Sequence, residues 1–235
     1  MPGWVAFGAL TTALIAILFL LSVASARAID ADTDHAHFRS SVSGEPAPGD
    51  RRLPRFERES RFKEPPDRSP ASAMSTGTLL ANVALTQGLF GAGVLLAAVY
   101  FDVPLAALGL IEPLLSAETI LFGVGGGVVL WLGNEVAAGA ADAAGVGYDE
   151  SVRSMLTPDS AGGWVILLGV ILPTIAVVEE LLFRGAAIGA MAVGFDVPVA
   201  LLVVVSSVAF GGAHGAQGRT GAVVATTLGL VLAVM

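Results

Sequence analysis

The sequence contains no cysteine. That excludes a disulfide framework, a thiolate metal site and a thiol nucleophile. Charge is scarce as well: 14% of the residues are Asp, Glu, Lys or Arg, against 54% hydrophobic. A typical soluble domain carries far more charge, so the composition points to a polytopic membrane protein. Lysine is almost missing, since every basic residue except Lys63 is an arginine. The bases alternate with acids and form no uninterrupted patch, which excludes a nucleic-acid binder. Histidine is rare too, and His214 is the one histidine within the apolar part of the chain.

The net charge of -8 is unevenly placed. Arg27 to Arg68 holds nine acids and nine bases, whereas the rest of the chain holds eleven acids and three bases. Acidic loops, scarce lysine and abundant Ala, Gly and Val suggest an organism living in high salt.

Apolar runs organise the chain. About 20 apolar residues suffice to cross the hydrocarbon core. The first run, Trp4 to Ala26, reads as a retained transmembrane helix over residues 1–26. Its Ala24-Ser25-Ala26 end resembles a signal cleavage site, but no positively charged side chain precedes the run. Residues 27–78 read as a disordered polar linker, too poor in apolar groups to offset the entropy of ordering. Within it, Asp30, Asp32, Asp34, His35 and His37 are expected to form a solvated polar tract rather than a metal cluster. Leu79 to Phe101 is a second run, whose Gly88, Gly91 and Gly93 suit close helix approach. Pro104 to Glu118 reads as an amphipathic connection at the interface. Thr119 to Ala141 is a third run, with Gly123 and Gly127 as a small-xxx-small contact and Asn134 and Glu135 near the membrane face.

The fourth run, Gly163 to Phe195, starts after Pro158-Asp159-Ser160 and is long for one span. Pro173 is expected to kink it, freeing backbone polar groups. Val197 to Ala213 is the fifth run. Gly221 to Met235 begins a sixth, too short to span, so the sequence reads as cut inside a helix. The expectation is an all-α polytopic transmembrane helix bundle of about six helices. The positive-inside rule places 27–68 in the cytoplasm, the N-terminus outside and His214 near the cytoplasmic face.

Three charges interrupt the fourth run: Glu179, Glu180 and Arg184. Each costs roughly 2.5–3.5 kcal/mol at a helix centre on insertion scales, so such a cluster reads as functional. Neighbouring helical residues diverge by about 100°, so the two carboxylates cannot point the same way. Glu180 and Arg184 share a face and are expected to pair, leaving Glu179 freer. The next helix ends in Phe210-Gly211-Gly212-Ala213-His214. Its small residues are expected to pack against Gly185 and Gly189 in an antiparallel pair. Glu179 and His214 each lie roughly 25 Å from the connecting turn at 1.5 Å per residue, hence at one depth. A carboxylate and an imidazole meeting there can activate water, and with a further histidine could hold a divalent metal. The residues alone leave catalysis, transport or proton relay, and a structural role open.

Glu179-Glu180-Leu181-Leu182-Phe183-Arg184 resembles the Glu-Glu-x-x-x-Arg motif of the CPBP family, and Phe210 to His214 resembles its Phe-x-x-x-His motif. That family comprises the CAAX-protease and bacteriocin-processing intramembrane proteases, also called the Abi family, related to the eukaryotic Ras-converting endopeptidase. The resemblance covers residues 79–235, a protease domain incomplete at its C-terminus, and is strongest to members from salt-loving archaea. It implies an intramembrane endopeptidase in which Glu179 activates water, Glu180 and Arg184 support it, and His214 is the first essential histidine. The implied cofactor is a divalent metal, zinc, at Glu179 and His214. The implied partners are membrane lipid and a peptide or protein substrate, lipidated in some cases, with no nucleic acid, and the implied location is the cell membrane. The family's last motif, a His-x-x-x-Asn on the final helix, has no counterpart, since no histidine follows His214. The alternative is a non-catalytic membrane scaffold or transporter-like protein that keeps a buried Glu/Arg/His cluster.

Overall fold

The computed structural model describes residues 2–42, 76–110, 116–143 and 157–235. Six helices make up the described chain: α1 (Trp4–Val42), α2 (Thr76–Tyr100), α3 (Ala117–Ala143), α4 (Ala161–Phe195), α5 (Val199–Ala213) and α6 (Gly218–Val234). The described residues contain no strand. Among the described residues, four stretches are long and apolar enough to cross a membrane: Trp4–Arg27, Thr76–Tyr100, Ala161–Phe195 and Gly215–Val234. The expected all-α membrane bundle is the observed architecture.

Backbone in a bilayer must satisfy its own polar groups, and continuous helices do so. Past the apolar span Trp4–Arg27, α1 does not stop at Ala26 but stays helical to Val42. No glycine or proline interrupts it before Gly44 and Pro46, and extending a formed helix adds a hydrogen bond per residue. The segment expected to be disordered from residue 27 is thus helical through Val42. Residues 43–75 lie outside the described residues, as do the side chains of Asp30, Asp32, Asp34, His35 and His37.

α4 begins as its sequence predicts, with Ser160 Oγ accepting the Gly163 N–H at 3.1 Å. Just upstream of Pro173 the helix widens to i→i+5 hydrogen bonding over Leu167–Ile171. Thr174 Oγ1 donates to the Val170 carbonyl at 2.7 Å, supplying a donor beside the missing proline N–H. The helix widens again over Glu180–Ala190. It ends where Asp196 takes a left-handed conformation, φ 53°, and turns the chain into α5.

The core lies where α4 meets α1, α2, α5 and α6. Phe7, Val94, Leu182, Phe183, Ala186 and Phe210 are buried together there. Phe7 is 0% exposed, so α1 contributes to the same core as the helices that follow it.

The glycines pair differently from expectation. On α2 only Gly91 meets a neighbour, Val178 of α4, while Gly88 and Gly93 face open space. Gly185 and Gly189 do not receive α5. A Cβ on Gly185 would stand 2.8 Å from the Leu108 carbonyl, and one on Gly189 would strike that of Ala107. The connection after α2, described through Leu110, supplies those carbonyls. Its turn Leu105–Leu108 folds onto α4, burying Ala107 and Leu108, and leaves through Gly109 at φ 76°. Gly211 packs against Ala222 and Thr226 of α6. Gly123 and Gly127 of α3 have no atom within 4 Å, and Glu135 is exposed. The sixth apolar run is longer than it reads, because the turn Gly215–Gln217 joins α6 in one apolar stretch of 20 residues.

Candidate active site

Glu179 is the last residue before the second widening of α4, and His214 is the C-terminal cap of α5. The structure brings the two side chains together: His214 Nε2 lies 3.7 Å from Glu179 Oε1, and both are 23% exposed. The expected equality of depth is realised. That separation exceeds a direct hydrogen bond, yet one water can reach both atoms at about 2.8 Å.

The other ring nitrogen fixes the imidazole's protonation pattern. His214 Nδ1 is 2.8 Å from the Phe210 carbonyl oxygen, which can only accept. Nδ1 therefore carries the proton, and in the neutral ring Nε2 presents its lone pair toward Glu179. A backbone carbonyl holding one nitrogen so that the other is aimed is the usual way a working histidine is oriented.

Glu180 points elsewhere, as adjacent helical residues must. Its Oε1 lies 3.1 Å from Arg184 Nη1. Arg184 Nη2 reaches the Gly229 carbonyl on α6 at 3.4 Å, and its guanidinium sits 4.8 Å over the Phe210 ring. Arg184 is 15% exposed and Glu180 47%, so the arginine is the anchored member of the pair. All four residues singled out in the sequence thus meet in one region, as two pairs on different faces of α4.

Two further residues act here: Phe210, which the sequence marks only as part of a motif, and Ser206, which it does not mark. Phe210 sets its ring against His214 at 4.5 Å, tilted by 49°, and meets Phe183 edge-on at 5.1 Å, in addition to carrying Arg184. Buried Ser206 donates to the Phe183 carbonyl at 2.7 Å, fastening α5 to the widened part of α4. A hydroxyl in an otherwise apolar helix was the signal for Ser206. The four-residue spacing from Phe210 to His214 was the signal for the ring, since it stacks the two on one helix face.

A groove of about 900 Å³ opens on the other side of α4. Leu95, Leu108, Glu180, Arg184, Ile188 and Leu232 are among its lining residues. It is mostly apolar, with the Glu180–Arg184 pair as its charged part.

Comparison with known families adds one finding. Residues 161–235 match the family model of the type II CAAX prenyl endopeptidases, Rce1-like. The matched stretch contains Glu179, Glu180, Arg184, Phe210 and His214. No curated protein and no solved structure matches the chain. The matched segment is similar to a membrane protease family, in keeping with the several apolar helices of a multi-pass membrane protein.

A catalytic zinc takes three protein ligands and an open position. Glu179 and His214 offer two ligand atoms, and no group of three or more His, Asp or Glu side chains converges among the described residues. The described residues therefore do not complete a zinc site.

Proposed function

We propose that the chain is an intramembrane endopeptidase of the CAAX-protease type, with Glu179 as the base that activates water. The observation that carries this reading is the 3.7 Å juxtaposition of Glu179 Oε1 and His214 Nε2, within the segment that matches a protease family. Water bound between the two atoms donates one hydrogen bond to the carboxylate and one to the imidazole lone pair. Glu179 takes a proton as the water oxygen attacks the scissile carbonyl. A C–O bond forms, the carbonyl oxygen gains charge, and collapse of that adduct breaks the C–N bond. The proton on Glu179 then passes to the leaving amine, restoring the carboxylate. His214 orients the water throughout, because its Nδ1–H is held by Phe210. Glu180 and Arg184 keep α4 and α6 in register, through the ion pair and the bond to Gly229.

The partners on this reading are membrane lipid and a peptide or protein substrate. The apolar groove beside Glu180 and Arg184 has room for a lipid chain attached to that substrate.

The test is cleavage of membrane-reconstituted reporter peptides, with and without a lipid anchor, by the full chain. Glu179→Gln keeps shape and removes the base, so turnover should fall by about 10²–10⁴-fold. Glu180→Gln should leave most of the turnover in place. Wild-type turnover in the Glu179 variant would sink the assignment, and turnover abolished by a chelator and restored by zinc would overturn the metal-free step.

A further inference from the structure

We propose that Ser22, on α1, is a positioning residue for His214, so that the first helix forms part of the site. The proposal rests on the reading of Glu179 and His214 given above. It concerns a part of the chain outside the family match, which begins at residue 161.

The turn after His214 is held mostly from within. The His214 N–H donates to the Gly211 carbonyl at 3.1 Å, and the His214 carbonyl accepts the Gln217 N–H at 3.0 Å. The ring is fixed to Phe210 on the same helix. All these bonds join residues a few positions apart. They shape the turn but do not set where it stands relative to Glu179 on α4.

Ser22 supplies a tie from another helix. Its Oγ accepts the Ala216 N–H at 2.9 Å, across 194 residues of sequence. Ser22 is buried, in an apolar helix that needs no hydroxyl to fold. One turn earlier, Phe19 lies against Gly212, where an added Cβ would come 3.1 Å from the ring. A Cβ on Gly215 would stand 3.3 Å from Ser22 Oγ. Residues 212, 215 and 216 bracket His214 on both sides, and α1 touches all of them. The absence of side chains at Gly212 and Gly215 is what lets α1 approach so closely.

Without the Ser22 hydroxyl, the Ala216 N–H loses its partner and the turn can swing. Small displacements of a reacting group are costly: an error of about 1 Å can lower a rate about 10²-fold. The loss should appear in kcat and not in KM, since Ser22 touches no substrate.

The experiment uses the full chain in bilayer nanodiscs. Ser22→Ala should lower kcat by about 5- to 50-fold with KM unchanged, and Ser22→Thr, which keeps the hydroxyl, should recover most of it. Ser25→Ala, at an exposed position of the same helix, should match wild type. A second readout does not depend on peptidase activity. In ¹⁵N-histidine spectra, with the signal assigned by His214→Gln, Ser22→Ala should shift the His214 ring resonances and Ser25→Ala should not. A chain without peptidase activity that shows this shift would overturn the functional reading and uphold the positioning. Unchanged ring resonances in Ser22→Ala, or threonine no better than alanine, would overturn the positioning.

Discussion

Replacing Phe210 by leucine keeps an apolar side chain at the junction of α4, α5 and α6 while removing the ring. Arg184 then loses its aromatic platform, an interaction worth about 0.5–2 kcal/mol when desolvated. His214 loses its ring contact but keeps its bond to the backbone carbonyl of residue 210. Phe210→Leu should therefore lower the thermal unfolding midpoint in detergent and reduce turnover less than Glu179→Gln does. A variant as stable as wild type would show that the contacts of the ring carry no net energy. The difference between what was and was not readable at this scale has a physical basis. Glu179 and His214 stood out because ionisable groups are expensive in an apolar helix, and helix rise alone put them at one depth. An aromatic ring in an apolar run looks like any core residue. The work of Phe210 became visible only with Arg184 and His214 in place around it.

Among the elements, α2 offers a paired test. Gly91 and Gly93 are two residues apart on one helix, yet their surroundings are opposite. A Cβ at Gly91 would lie 2.8 Å from Val178 Cγ2, whereas one at Gly93 meets nothing within 4 Å. Val178 is buried, β-branched and directly precedes Glu179, so it cannot give way by a simple rotamer change. Gly91→Ala should destabilise by about 1–3 kcal/mol through overpacking, and should impair turnover by moving Glu179. Gly93→Ala should be neutral or stabilise by up to about 1 kcal/mol, as glycine is a poor helix former. Denaturant titration of both variants decides it, and equal effects would contradict the packing described. Helix positions were legible from apolar runs and their punctuation, including the Ser160 cap. The partner of each glycine was not. A small residue signals that something can approach, and carries no information about what does. Hence Gly185 and Gly189 receive the carbonyls of Leu108 and Ala107 where α5 was expected.

For the whole molecule, helix lengths determine how deep the site lies. α5 has 15 residues and rises about 22 Å, short of the roughly 30 Å hydrocarbon core. Asp196 stands three residues before α5 begins, and His214 caps its other end. Asp196 is exposed and charged, which favours the face for that end. α4 meanwhile runs on past Glu179 back to Ala161, with Trp164, Val165, Ile166 and Leu168 exposed as lipid-facing groups. Glu179 lies sixteen residues before Phe195 on α4, a rise of about 24 Å, so the Glu179–His214 pair is expected inside the roughly 30 Å hydrocarbon core. Arg219, in the first turn of α6 and exposed, is expected nearer to the opposite face. The absence of native cysteine makes single-site spin labels unambiguous. Labels at Asp196→Cys and Arg219→Cys should be quenched strongly by a polar nickel complex. A label at His214→Cys should respond more to oxygen, which partitions into the hydrocarbon. Equal polar access at 214 and 219 would place the pair at the aqueous boundary. Water would then reach Glu179 directly.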